Sequence, residues 1–103
     1  MPKRWYIVHT ESRFEQAAAD AIRAQLAERG LSELVEEIAR PPVRADAQDA
    51  AARRFHPGYL LVKCDLTDEV RGLIGRTPKV TGFLGPSDQP LAISDAEARR
   101  MIY

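Results

Sequence analysis

The chain has 103 residues, 15 basic and 15 acidic side chains and a formal charge of zero, enough for one modest core and too short for a multidomain machine. With 45% hydrophobic and 29% charged residues it is neither a disordered polyelectrolyte nor a membrane segment, and no apolar run approaches the ~20 residues of a spanning helix. The lone cysteine, Cys64, excludes an internal disulfide framework and a cysteine-built zinc site. No export signal is legible at the start, so a cytoplasmic location is expected.

Trp5-Tyr6-Ile7-Val8-His9-Thr10 is aromatic and β-branched and predicts a first strand. A helix follows: Ser12 and Glu15 have capping-box spacing, Phe14, Ala18, Ala21, Ile22, Gln25 and Leu26 repeat at helical intervals, and Gly30 stops it. Leu34 to Ala39 reads as a second strand ended by Pro41 and Pro42. From Pro41 to Pro57 no periodicity survives, which predicts a long surface loop. Gly58 to Leu66 is the strongest strand signal, with Leu60, Val62, Cys64 and Leu66 on one face and Tyr59, Leu61, Lys63 and Asp65 on the other. Thr67 and Asp68 open a short helix through Val70, Leu73 and Ile74 that ends near Gly75. Val80 to Leu84 forms the last strand, closed by the Gly85-Pro86-Ser87-Asp88 turn. Ser94 and Glu97 make a second capping box for a helix from Asp95 whose apolar side carries Ala98, Met101 and Ile102. With no cap at Tyr103, an excised domain of a longer protein is expected.

This order predicts an α+β fold: a four-stranded, mainly antiparallel sheet in the ferredoxin-like split βαβ topology, with an extra C-terminal helix. Helices on one face would cover Leu60, Val62 and Cys64. Strand parity puts Trp5, Ile7 and His9 beside Tyr59 and Leu61 on the other, partly open face, and exposed aromatic and aliphatic groups on a sheet mark a docking place.

Catalytic chemistry has little support. His9, His56, Cys64 and the carboxylates form no nucleophile, base and orienter set, Cys64 shares an apolar face, and no third ligand at metal-site spacing joins the histidines. No phosphate-cradling glycine loop is present. The Pro57 to Cys64 segment matches an RNA-stacking strand poorly, with only Tyr59 and Val62 in pattern, so single-stranded nucleic-acid binding ranks below protein docking. Zero net charge likewise disfavours tight binding to free duplex, although Arg71, Arg76 and Lys79, and separately Arg53 and Arg54, are locally basic.

Lys3 to Val8, Phe55-His56-Pro57-Gly58-Tyr59-Leu60-Leu61-Val62, Arg76-Thr77-Pro78-Lys79-Val80-Thr81-Gly82-Phe83-Leu84-Gly85, then Pro90 and Ile93-Ser94-Asp95, together resemble the N-terminal (NGN) domain of the bacterial NusG family, over nearly the whole chain. The resemblance implies one NGN domain across residues 1–103, and a non-enzymatic, cofactor-free transcription elongation factor. Such a factor docks on the clamp helices of the RNA polymerase large subunit near the upstream bubble and modulates elongation, pausing, termination and antitermination. It further implies a KOW domain in the full protein, contacting Rho and a ribosomal protein, with the domain here a monomer without membrane contact. A specialised RfaH-like paralogue is the alternative.

Carried over residue by residue, the polymerase-binding surface comprises Trp5, His9, Arg13, Phe55, His56, Tyr59, Leu61 and Phe83, of which Trp5 and Phe83 serve equally well as core aromatics. His56 stands where the family more often has an aromatic, which weakens the surface or makes it pH-sensitive. Arg53, Arg54, Arg76, Thr77 and Lys79 are the candidates for non-template or upstream DNA, against the alternative of a solvated face. The loop 41–57 is shorter than in many relatives, and Ala50-Ala51-Ala52 replaces what is often a more basic hairpin.

Overall fold

The computed structural model describes residues 3–11, 13–40, 58–86 and 89–102; the expected loop over 41–57, the capping serine Ser12 and the turn residues Ser87 and Asp88 lie outside them. The elements are β1 (Arg4–Thr10), α1 (Glu15–Arg29), β2 (Val35–Ala39), β3 (Tyr59–Cys64), α2 (Asp68–Gly75), β4 (Val80–Phe83), β5 (Ala92–Ile93) and α3 (Asp95–Ile102), with a short 3₁₀ turn, Ser32–Leu34, before β2. The sheet order is β2-β3-β1-β4, every pairing is antiparallel, and β5 adds a two-residue ladder to the start of β1. This is the expected split βαβ arrangement. β5 is an addition, too short to leave a periodic signal.

Local chemistry explains most boundaries. Gly30 ends α1 in the left-handed conformation at φ +69°, where its own N–H and that of Leu31 recover the carbonyls of Ala27 and Leu26 at 3.3 and 2.8 Å. Thr67 caps α2 by accepting the Val70 N–H at 3.1 Å. Ser94 caps α3 by accepting the Glu97 N–H at 3.1 Å, and its hydroxyl lies 3.3 Å from the Glu97 carboxylate.

The start of α1 departs from expectation. Glu15 is its first residue and Phe14 the N-cap, with no side-chain cap bond, so Glu15 does not occupy the third helical position that a Ser12 capping box requires. Phe14 accordingly leaves the apolar helix face and is 42% exposed.

One face of the sheet carries the main core: Val8, Leu60, Val62 and Cys64 pack against Ala18, Ala19, Ile22 and Leu26 of α1 and Val70, Leu73 and Ile74 of α2. Each fully buried aliphatic side chain there contributes roughly 1.5–3 kcal/mol of transfer free energy. On the opposite face α3 lays Ala98 over Trp5, Ile7 and Leu61, with Met101 and Ile102 at the margin. The strip read as partly open is therefore largely covered at these positions: Trp5 is 6%, Ile7 8% and Leu61 0% exposed. Among the described residues no helix is long and apolar enough to cross a membrane.

Candidate functional site

On the face opposite the main core, α3 is the described element that packs over the sheet, and its apolar cluster is centred on Trp5, Ile7 and Leu61. Beyond Ile7, β1 reaches His9, paired across the ladder with Tyr59, the first residue of β3. Their rings sit 4.6 Å apart between centroids at an interplanar angle of 57°, and both side chains are half-buried. A cross-strand aromatic pair of this kind holds its own geometry, and paired aromatic residues recur at protein-docking surfaces.

The other expected docking residues separate into three groups. Trp5 and Leu61 share the face of His9 and Tyr59 but are buried under α3. Phe83 sits on the other side of the sheet: it pairs with Val8 while His9 pairs with Gly82, and its ring packs edge-on against Tyr6 at 6.4 Å and 89°. A register shift between His9 and Thr10 interrupts the β1–β4 ladder. Arg13 is exposed in the turn before α1, in a left-handed conformation at φ +74°. Phe55 and His56 lie outside the described residues.

Trp5 also anchors α3. Its indole N–H donates to the Asp95 carboxylate at 2.8 Å, and Lys63 Nζ lies 3.4 Å from that carboxylate, 3.2 Å from Glu36 and 5.9 Å from the centre of the indole ring. The hydrogen bond to Glu36 is the largest cause holding the Lys63 ammonium above its ordinary range; partial desolvation opposes it and Asp95 adds to it.

The DNA candidates are likewise dispersed. Thr77, expected at the surface, is 2% exposed: its hydroxyl donates to the Leu73 carbonyl at 2.9 Å and accepts from Gln25 Nε2 at 3.0 Å, which ties the end of α2 to α1. A buried hydroxyl with both functions occupied is not available to a phosphate. Arg76 is exposed and folds its guanidinium back over Gly72, while Lys79, at φ +75°, places Nζ 3.3 Å from Glu11 and 4.4 Å from the centre of the Phe14 ring. Glu11 donates its N–H to the Lys79 carbonyl at 2.9 Å, so the turn before α1 and the turn before β4 form one continuous edge carrying Arg13, Phe14 and Lys79. The exposure of Phe14 escaped the sequence reading because its spacing fits the helical repeat. Arg53 and Arg54 lie outside the described residues.

Cys64 carries no chemistry. Burial first, and the adjacent Asp65 carboxylate second, push its thiol up to about 12, which leaves it protonated and inert at neutral pH.

A split βαβ sheet with helices on both faces, a buried thiol, a half-open aromatic pair and a basic edge beside it defines a small binding module. Its sequence from residue 3 to residue 102 matches the family described as transcription termination factor NusG. The chain belongs to that family, a family of transcription factors and not of enzymes, and corresponds to its N-terminal NGN domain. It is 38% identical over 102 residues to the transcription termination/antitermination protein NusG of Vibrio parahaemolyticus, covering 93% of this chain and 56% of that protein. With the protein of the same name from Escherichia coli O6:H1 the identity is 36% over 101 residues, covering 92% and 56%. Among solved structures, Thermotoga maritima NusG, described for its domain interaction, superposes with a TM-score of 0.75 at 30% identity over 96% of this chain and 55% of its own. A chain of an Spt4 heterodimer complex from Methanococcus jannaschii shares the fold, with a TM-score of 0.66 at 20% identity over 95% of this chain and 94% of its own. The chain thus spans a little over half the length of the NusG proteins it matches.

Proposed function

We propose that this domain is a transcription elongation module that docks on RNA polymerase, seating the His9–Tyr59 end of its second sheet face on the clamp helices of the large subunit near the upstream edge of the bubble. The observation that carries this reading is the half-buried His9–Tyr59 aromatic pair at the end of this sheet face, in a member of the NusG family. An aromatic ring already ordered by a cross-strand partner loses little conformational freedom on docking, so most of its contact area contributes to affinity. Phe55 and His56, four and three residues before Tyr59 in sequence, and the exposed Arg13 complete the proposed contact.

Arg76 and Lys79, with Arg53 and Arg54, are proposed to touch non-template or upstream DNA once the domain is held on polymerase. Tethering makes such weak cationic contacts effective through local concentration, whereas a chain of zero net charge gains little from free DNA. Through a KOW domain continuing beyond this segment, the full protein would reach Rho and a ribosomal protein and so act in pausing, termination and antitermination. The domain itself is proposed to act as a cytoplasmic monomer without a cofactor.

Capture of core RNA polymerase on the immobilised domain tests this directly. Retention that a soluble clamp-helix fragment competes away is expected. No retention, combined with micromolar binding to a free single-stranded oligonucleotide and a steep salt dependence, would replace docking by independent nucleic-acid binding.

A further inference from the structure

We infer that Glu15 is a positioning residue for the docking surface: its buried carboxylate, by accepting the Gly58 N–H, fixes the strand entry that sets Tyr59 against His9. The inference rests on the docking reading given above. Glu15 is only 7% exposed, an unusual state for a carboxylate, and belongs to neither apolar cluster. Its place at the first position of α1 suits a negative charge, because the helix dipole puts partial positive charge at the first turn.

The contact it makes is specific. Glu15 Oε1 accepts from the Gly58 N–H at 3.2 Å, while the Gly58 carbonyl accepts from the Thr10 N–H at 2.7 Å. Both peptide groups flanking one α-carbon are thereby held, one by α1 and one by the end of β1. Gly58 adopts φ +110°, a conformation open to glycine and costly to other residues, so the acceptor holds a backbone turn that an L side chain would resist. The next residue is Tyr59, whose ring then falls 4.6 Å from that of His9. The capping-box spacing noted in the sequence thus conceals a different use of the same glutamate, bonding to a backbone group 43 residues away.

Three substitutions separate reach from charge. Glu15→Gln keeps the length and an acceptor oxygen, Glu15→Asp keeps the charge but falls one methylene short, and Glu15→Ala keeps neither. In the free domain, the Gly58 amide and the Tyr59 ring resonances are expected to stay near wild-type positions in Glu15→Gln and to move in Glu15→Asp and Glu15→Ala. Affinity for core RNA polymerase should remain within about threefold in Glu15→Gln and fall at least about tenfold in the other two, the size expected for one buried hydrogen bond. Unmoved Tyr59 resonances in folded Glu15→Asp or Glu15→Ala would overturn the inference, as would a Glu15→Gln variant as impaired as Glu15→Asp. Should Glu15→Ala fail to fold, the comparison of Glu15→Gln with Glu15→Asp decides. If the wild-type domain does not bind polymerase, the docking reading fails while the resonance test in the free domain still decides the role of Glu15.

Discussion

Trp5 and Asp95, 90 positions apart, are joined by an indole N–H to carboxylate hydrogen bond of 2.8 Å that pins the first turn of α3 to the first strand. Trp5 is almost wholly buried, so removing its acceptor costs the hydrogen bond that ties α3 to the sheet together with the Lys63–Asp95 contact. Asp95→Ala should lower stability by about 1–2 kcal/mol. Urea unfolding followed by the fluorescence of the single tryptophan measures this, and the same variant should show a native-state emission shift as α3 loosens over the indole.

Leu61 and Tyr59 lie two residues apart on one strand face, yet their substitutions should have opposite signatures. Leu61 is fully buried under α3, and Leu61→Ala is expected to cost about 2–5 kcal/mol of stability with polymerase affinity retained by the folded fraction. Tyr59→Ala should cost less stability and most of the docking affinity. Thermal unfolding and a polymerase titration on the same two proteins separate the effects.

Thr77 and its cationic neighbours divide in the same way. Thr77→Val removes the bonds to Leu73 and Gln25 and should destabilise by about 1–2 kcal/mol without a selective loss of DNA contact. Arg76→Ala and Lys79→Ala should change stability by no more than about 0.5 kcal/mol while reducing the salt dependence of binding to a polymerase–bubble complex. Equal salt slopes for wild type and the double variant would remove both residues from the DNA contact.

Cys64 supplies a pH prediction with a defined sign. An unfolded thiol ionises near 8.5, whereas the buried one holds its proton to about 12. Below the unfolded value neither state is ionised and the group makes stability independent of pH. Between the two values the unfolded chain loses a proton that the folded chain keeps, so stability should fall as pH rises through that window. Cys64→Ala should flatten this alkaline slope, and a thiol reagent at pH 8 should label the wild-type chain only after urea is added.

The fold was legible because its larger elements carry independent local signals: the helical repeat ended by Gly30, the Thr67 cap, and the alternation from Leu60 to Cys64. β5 was not, since two residues cannot express a period of two. Parity correctly put Trp5, Ile7, His9, Tyr59 and Leu61 on one face, but parity names a face and not its cover, and the cover comes from α3 at the far end of the chain. The side taken by Phe83 depends on the β1–β4 register, which no local pattern reveals. Glu15 was legible as a carboxylate at a helix start, while its partner Gly58 is a contact made only by the tertiary fold.

The most direct test is equilibrium titration of core RNA polymerase with the wild-type domain, His9→Ala and Tyr59→Ala, each first shown to be folded. Loss of a central aromatic anchor should weaken Tyr59→Ala by about 2 kcal/mol, roughly thirtyfold, with His9→Ala between it and wild type. Wild-type affinity in both folded variants would contradict the assignment of this end of the sheet as the polymerase contact.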